Sequence, residues 1–362
     1  MLVREQNLNH KLVALRTMLD DKGFAALEIS SQANFSWLTR GRGFIGLASV
    51  LSCGSIIITR QKAYLVADNI EAQRLYTEQL GESPQLETVE FPWNQPKKRA
   101  DIVKNIVGGG RLATESELAH QLFEMRAVMT EWDIADYRAL CKEAAQILED
   151  VVSGLSLGVS GHEVVGEISK RFWSRGIEPI TMLCAFDGRA LKYRHPIPHA
   201  ETLENYALVA ICGRRGGLIV SATRNLLLRE DAGMIAHHTK CAMVDAAATA
   251  QLIPGRVLGD IYNRMVAEYA RQGHPGEETF HHQGGLTGFV PRELRAVPGC
   301  SHVVRRNEVY AFNPSLQGAK CEDTILVANT GPQVMTHTGE YAYISCQIDG
   351  QEILKPTVLV KG

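Results

Sequence analysis

The stretch "ALVAICGRRGGLIVSATRNLLL", residues 207–228, holds two apolar runs separated by Arg214, Arg215, Gly216 and Gly217. Alanine, valine, isoleucine and leucine in continuous runs, broken by a glycine pair, read as strand, tight turn, strand. The hairpin also lacks something. Between Tyr206 and Leu228 there is not one Asp or Glu. Whatever chemistry the protein performs, these two strands bring no carboxylate to it.

Reading outward toward the C-terminus, residues 231–272 show two helical patterns separated by "LIPGRV", residues 252–257. "NEVYAFNPS" (307–315) and "CEDTILVANT" (321–330) read as strands. Reading outward toward the N-terminus, "EWDIADYRALCKEAAQILEDVVSGL" (131–155) places Ile134, Leu140, Ala144, Ile147 and Val151 on one helical face. A second helix follows. Ser160 with Glu163 three residues on forms a capping box, and Gly176 closes the helix. Helices beside long strands that return on themselves make an α+β plan. Further upstream, Leu8, Leu12, Leu15 and Leu19 share a helical face that Gly23 ends. "FAALEIS" and "ASVLSCGSIIITRQKAYLVA" read as buried strands, the latter turning at Arg60–Lys62. "FPWNQPKKRADIV", with two prolines, reads as a loop, and "VGGGRLATE" runs into a strand. A small α/β domain over 1–125 and a larger one over 126–362 are expected.

Composition narrows the function classes. With 362 residues, 45% hydrophobic and 22% charged, the chain has the make-up of an ordinary globular protein. A net charge of −2 gives no electrostatic pull toward nucleic acid or an anionic membrane. No apolar run approaches the ~20 residues that span a bilayer. The N-terminus has no apolar signal core, so a cytoplasmic location is expected. The eight cysteines are scattered, with no CxxC pair, and read as free thiols.

The order "EWDIADYRALCKEAAQIL", "GVSGHEV", "RHPIPH", "GRRGGLIVSATR", "LIPGRV", "HHQGGLTGF", "FNPS", "CEDTILV" resembles the aminopeptidase P, prolidase and creatinase superfamily, the peptidase M24 group. The resemblance implies a pita-bread C-terminal domain, and "FAALEISSQANFSWLTRG" is similar to the smaller domain of its longer members. It also implies a homodimer. Peptidases of that family hold two divalent metals with two Asp, one His and two Glu, since hard dications need anionic oxygen ligands. At the matching positions this chain has Ile211, Ser221, Gly285, Asn313 and Glu322. One carboxylate does not hold two dications, so the dinuclear site is expected to be absent. His281, His282, Glu293 and Glu322 leave open an unrelated mononuclear site.

What replaces those ligands is polar. Arg194 and His195 stand in "KYRHPIPH"; His281, His282 and Gln283 precede the glycines; Arg292 and Glu293 follow; Asn313, Ser315, Lys320 and Glu322 come from the last strands. Burying so many polar groups is expensive unless they pair with each other or with a ligand. Within the resembled family creatinase works without metal, through a histidine whose position His195 matches. Histidine suits the role because its pKa of about 6.5 lets it exchange protons near neutrality. On this reading His195, His282, Glu322 and Glu293 are catalytic, with Glu322 or Glu293 orienting the His195 ring. Arg194, Arg292 or Lys320 anchors a substrate carboxylate. Gln283 and Asn313 polarise a carbonyl, and His281 and Ser315 line the pocket. Strand alternation turns one of His281 and His282 away. The expected function is a metal- and cofactor-independent hydrolase or lyase cleaving a C–N bond in a small amino-acid-derived molecule. The alternatives are a Xaa-Pro dipeptidase-like metallopeptidase with an atypical metal site, and a non-catalytic ligand-binding protein. Among bland assignments, Arg224 reads as an ion-pair partner, Asp323 as a strand-end acceptor, Asp187 as a turn residue, Trp37 as core and Arg40 as solvated surface.

Overall fold

The computed structural model describes residues 2–362, which fall into two compact units. One holds residues 1–126 with the short segments 130–132 and 216–218, and the other holds most of the remaining chain. In the first unit the helix Leu2–Lys22 buries Leu8, Leu12, Leu15 and Leu19. Each such leucine contributes about 1.5–3 kcal/mol of burial. Gly23, at φ 71°, ends the helix as the pattern requires. Strands β1 (Ala26–Ser31), β2 (Leu51–Thr59), β3 (Ala63–Asp68), β4 (Leu86–Phe91) and β5 (Leu112–Ala113) form one mixed sheet in the order β4-β3-β2-β1-β5.

Two local expectations fail here. "FPWNQPKKRADIV" is not a loop throughout, because residues 96–107 are helical with Pro96 in the first turn. Proline suits that position: its fixed φ fits the helix and the N–H it lacks would have had no partner. Arg40 is half-buried in the left-handed region at φ 60° and donates to the Gly216 carbonyl at 2.7 Å. It is not solvated surface. Trp37 is core, 3% exposed.

In the second unit β6 (Glu178–Phe186), β7 (Tyr206–Arg215) and β8 (Leu218–Leu227) follow the helices Glu131–Gly154 and Gly161–Ser174. The capping box at Ser160 forms in both directions: the Glu163 N–H donates to Ser160 Oγ at 3.2 Å, and the Ser160 N–H to Glu163 Oε2 at 2.8 Å. Strands β9 (Gly284–Thr287), β10 (Leu294–Arg295), β11 (Val309–Phe312), β12 (Ser315–Leu316), β13 (Ala319–Lys320), β14 (Asp323–Ala328), β15 (Gly331–Val334), β16 (Tyr343–Ile348), β17 (Gln351–Pro356) and β18 (Val358–Val360) complete the unit.

A four-stranded sheet of this unit runs β18-β8-β7-β6, and a five-stranded one runs β10-β9-β11-β14-β15. Main-chain bonds from Ile219 N to Gly288 O (3.0 Å) and from Thr223 N to Glu322 O (2.9 Å) tie β8 to the second sheet. All ten residues of β8 are buried, including Ser221, Thr223, Arg224 and Asn225. The helices Ala232–Ala250 and Leu258–Arg271 complete the layers. This is the pita-bread arrangement. No described helix is long and apolar enough to cross a membrane.

Candidate active site

Within the second unit, side chains from β6, β7, the 195–197 loop, the 282–295 segment and β13 surround a cavity of about 540 Å³. Six of the residues named from the sequence, His195, His282, Arg292, Asn313, Lys320 and Glu322, line it. A second cavity, about 520 Å³, lies on the other side of the histidines and is lined by Arg194, His195, His281, His282 and Gln283. His195 and His282 border both, so the imidazoles partition two spaces.

The histidines form a tight group. His281 Nε2 lies 2.9 Å from His195 Nε2. The His281 and His282 rings stack at 4.5 Å and 27°. Neither of the two is turned away. Strand alternation does not govern them, because the ladder begins only at Gly284 and His281–Gln283 precede it. Burial, then the positive charges of Lys320 and the neighbouring rings, push His281 down to about 2. Burial, then Arg292 and Lys320, push His282 down to about 4. His195 is lowered by burial and then by Lys320, with Glu322 pulling the other way. All three imidazoles are therefore neutral at physiological pH. The partner that orients His195 is His281; no carboxylate bonds to it among the described residues.

The polar floor is unevenly satisfied. Arg292 Nη2 donates to Glu322 Oε1 at 2.7 Å and Nη1 to the Pro291 carbonyl at 2.6 Å, while its Nε is buried without a partner. Lys320 is 3% exposed, yet its ammonium has no hydrogen-bond or ion-pair partner among the described residues, and burial lowers its pKa. Asn313, also 3% exposed, has Oδ1 buried without a partner. Such groups are costly unless a ligand completes them.

Other predicted residues do different work. Arg194 pairs with Glu277 and donates to Ser315 Oγ, which makes it part of the framework. Gln283 is saturated: Oε1 accepts from the Tyr269 hydroxyl, and Nε2 donates to the carbonyls of Glu278 and His281. It holds the histidine segment. Ser315 lines neither cavity; its N–H donates to the Tyr269 hydroxyl. Glu293 lines neither cavity and accepts from the Phe289 N–H at 3.2 Å.

The five positions of the expected dication ligands are hostile to metal. Ile211 borders the cavity, but the β6–β7 register pairs Leu183 with Ala210 and Thr181 with Cys212, and these four line it together. A side chain at Gly213 would meet Ile177 and Phe172, so the alternate residues face the helix layer. The cavity-facing counterpart is therefore Ala210 rather than Ile211, and it too is apolar. Ser221 is fully buried beside Cys212, 3.2 Å from sulfur to oxygen. Gly285 sits at φ 146°, and a Cβ there would lie 2.2 Å from the Leu294 carbonyl oxygen, so no histidine fits. Asn313 is neutral, and Glu322 is held by Arg292. This donor set does not fit a pair of dications. Elsewhere, His195, His281 and His282 bring three ring nitrogens within 4.8 Å of one another, the one described group with ligand-like spacing. The charges of Arg292, Lys320 and Arg295 act on His282, while Glu322 lines the first cavity and Glu278 the second.

The sequence reading missed Thr181, Leu183, Ile197, Cys212 and Arg295 as cavity residues. Only Arg295, three residues past Arg292, carried a chemical signal.

The model of metallopeptidase family M24 matches residues 135–329, more than half of the chain. The chain belongs to this family of hydrolases. A Xaa-Pro dipeptidase from Pyrococcus horikoshii is 23% identical over 373 residues, covering 91% of this chain and 98% of the relative. The crystal structure of a prolidase from the same organism superposes with a TM-score of 0.74 at 16% identity, over 91% of this chain and 98% of that one. The N-terminal domain of FACT complex subunit SPT16 from Cicer arietinum superposes at 0.68 and 14% identity, over 93% and 97%. At these identities the structures share the M24 fold and nothing finer.

Proposed function

We propose that this M24 protein is a metal-independent hydrolase that cleaves a C–N bond in a small amino-acid-derived substrate, with His195 as general acid and base. The observation that carries the reading is the His195–His281 pair, 2.9 Å between Nε2 atoms, at the wall of a cavity whose dication positions are apolar, neutral or committed. A neutral His281 can accept at Nε2, and in that tautomer His195 Nε2–H donates to His281 Nε2, leaving His195 Nδ1 as the base. His195 takes a proton from a water that attacks the substrate carbonyl carbon. The C–O bond forms, the C–N bond breaks, and the same proton passes to the departing nitrogen. While His195 is protonated, its Nε2–H still points at a neutral acceptor, which holds the ring as a carboxylate does in other catalytic arrangements. Asn313 hydrogen-bonds the substrate, and Lys320 takes its negative end. The same reading makes the protein a cytoplasmic homodimer with a small-molecule partner.

A second reading, one dication on His195, His281 and His282, is favoured by their spacing. The crowd of cations around them opposes it. Metal analysis of protein purified without added metal, with hydrolysis of a panel of small amino-acid-derived C–N substrates measured with and without chelator, separates the two. We expect sub-stoichiometric metal, activity indifferent to chelator, and a drop of at least about 100-fold in kcat/KM for His195→Ala. One tightly held metal per chain and chelator-sensitive turnover would replace the first reading with the second.

A further inference from the structure

The cavity lining is of two chemically opposite kinds. Leu183 and Ala210, facing one another across the β6–β7 register, are 6% and 3% exposed, and Ile197, Val290 and Pro291 extend the apolar surface. The same cavity is lined by Lys320, whose ammonium is unpaired among the described residues, and by Asn313, whose Oδ1 is buried without a partner. In a protein built to bind two dications, Ala210 would be a ligand; here it widens an apolar wall.

We propose that the substrate is an N-acyl amino acid, or an amide of the same pattern, with a branched aliphatic or aromatic acyl group. The acyl group packs on Leu183, Ala210 and Ile197, the amide N–H donates to Asn313 Oδ1, and the carboxylate pairs with Lys320. Each part answers one feature. An apolar wall rewards carbon, a buried ammonium rewards an anion, and a buried bare acceptor requires a donor. A small zwitterion would satisfy the ammonium but leave the wall against water.

This inference rests on the cavity being the substrate site. Calorimetric binding to the full-length protein tests it apart from turnover, with N-(3-methylbutanoyl)glycine, N-acetylglycine and N-(3-methylbutanoyl)glycinamide as probes. The first should bind at least about tenfold more tightly than either of the others. Ala210→Val, which narrows the wall, and Leu183→Thr should each erase the acyl preference and keep the carboxylate preference. Lys320→Met should do the reverse. Equal binding of the first two probes, no binding of any, or variants that do not separate the two preferences would overturn the proposal. A protein that fails in this way and still hydrolyses other C–N substrates through His195, without metal, would leave the proposed reaction standing.

Discussion

Burial is the first influence on all three imidazoles, and the cations around them act in the same direction. Lys320, which has no counter-ion in contact, lowers each of the three. His195 accordingly titrates below its usual value of about 6.5, and its neutral, proton-accepting form persists into mildly acidic solution. Activity should fall as pH drops through that lowered value. Removing the lysine charge moves the fall upward: in Lys320→Met, the acid limb of kcat/KM against pH should lie at higher pH than in the wild type. A limb that stays put would show that Lys320 does not act on His195, even if substrate affinity suffers. The sequence reading named this lysine as an anchor, but its lack of a partner was invisible there. Arg194, equally basic and equally polar in context, turned out to be paired with Glu277.

At the scale of elements, β9 shows how backbone geometry removes a metal ligand. Its first two residues are glycines at φ 89° and 146°, and a Cβ on either would fall 2.1–2.2 Å from a carbonyl oxygen of a neighbouring strand. Gly285→Ala should cost at least about 3 kcal/mol in urea unfolding, since both φ and space forbid it. Gly158, at φ 84° with nothing within 4 Å of its Cβ position, is the control. Gly158→Ala should cost only about 1–2 kcal/mol of left-handed strain. Equal losses would mean that steric contact at Gly285 relaxes freely. The same strand explains the two adjacent histidines. Alternation was the right rule for a ladder, but the ladder starts three residues after His281, and the turn before it sends both rings to one side.

Across the whole second unit, a buried ionic network ties the layers together. Arg224, fully buried, donates to Glu149 at 2.8 Å and Asp323 at 3.1 Å, and to the carbonyls of Thr223 and Thr336. It joins the helix Glu131–Gly154, β8 and β14. Burial alone would raise Asp323, but Arg224 and His337 outweigh it and hold the carboxyl below its ordinary range. Arg224→Met leaves two buried carboxylates without their guanidinium, and should lower stability by about 3–5 kcal/mol in denaturant unfolding. The folded remainder should keep its kcat/KM, because Arg224 does not line the cavity. Loss of activity without loss of stability would place this network in the reaction rather than in the scaffold.

The sequence by itself determined the M24 fold and the lack of any carboxylate on β7 and β8. Apolar periodicity, the Ser160 capping box and the lack of any acid between Tyr206 and Leu228 are local or compositional facts, and they hold whatever the exact register. Only the tertiary structure decided which polar residues are spoken for. Glu293, Gln283 and Arg194 bond within the framework, whereas Lys320 and Asn313 are left facing a cavity. It also moved one ligand position from Ile211 to Ala210 through strand register, and made His281 the partner of His195. The reason is that a side chain's availability depends on what the rest of the chain folds against it, over separations of tens to hundreds of residues that no local pattern encodes.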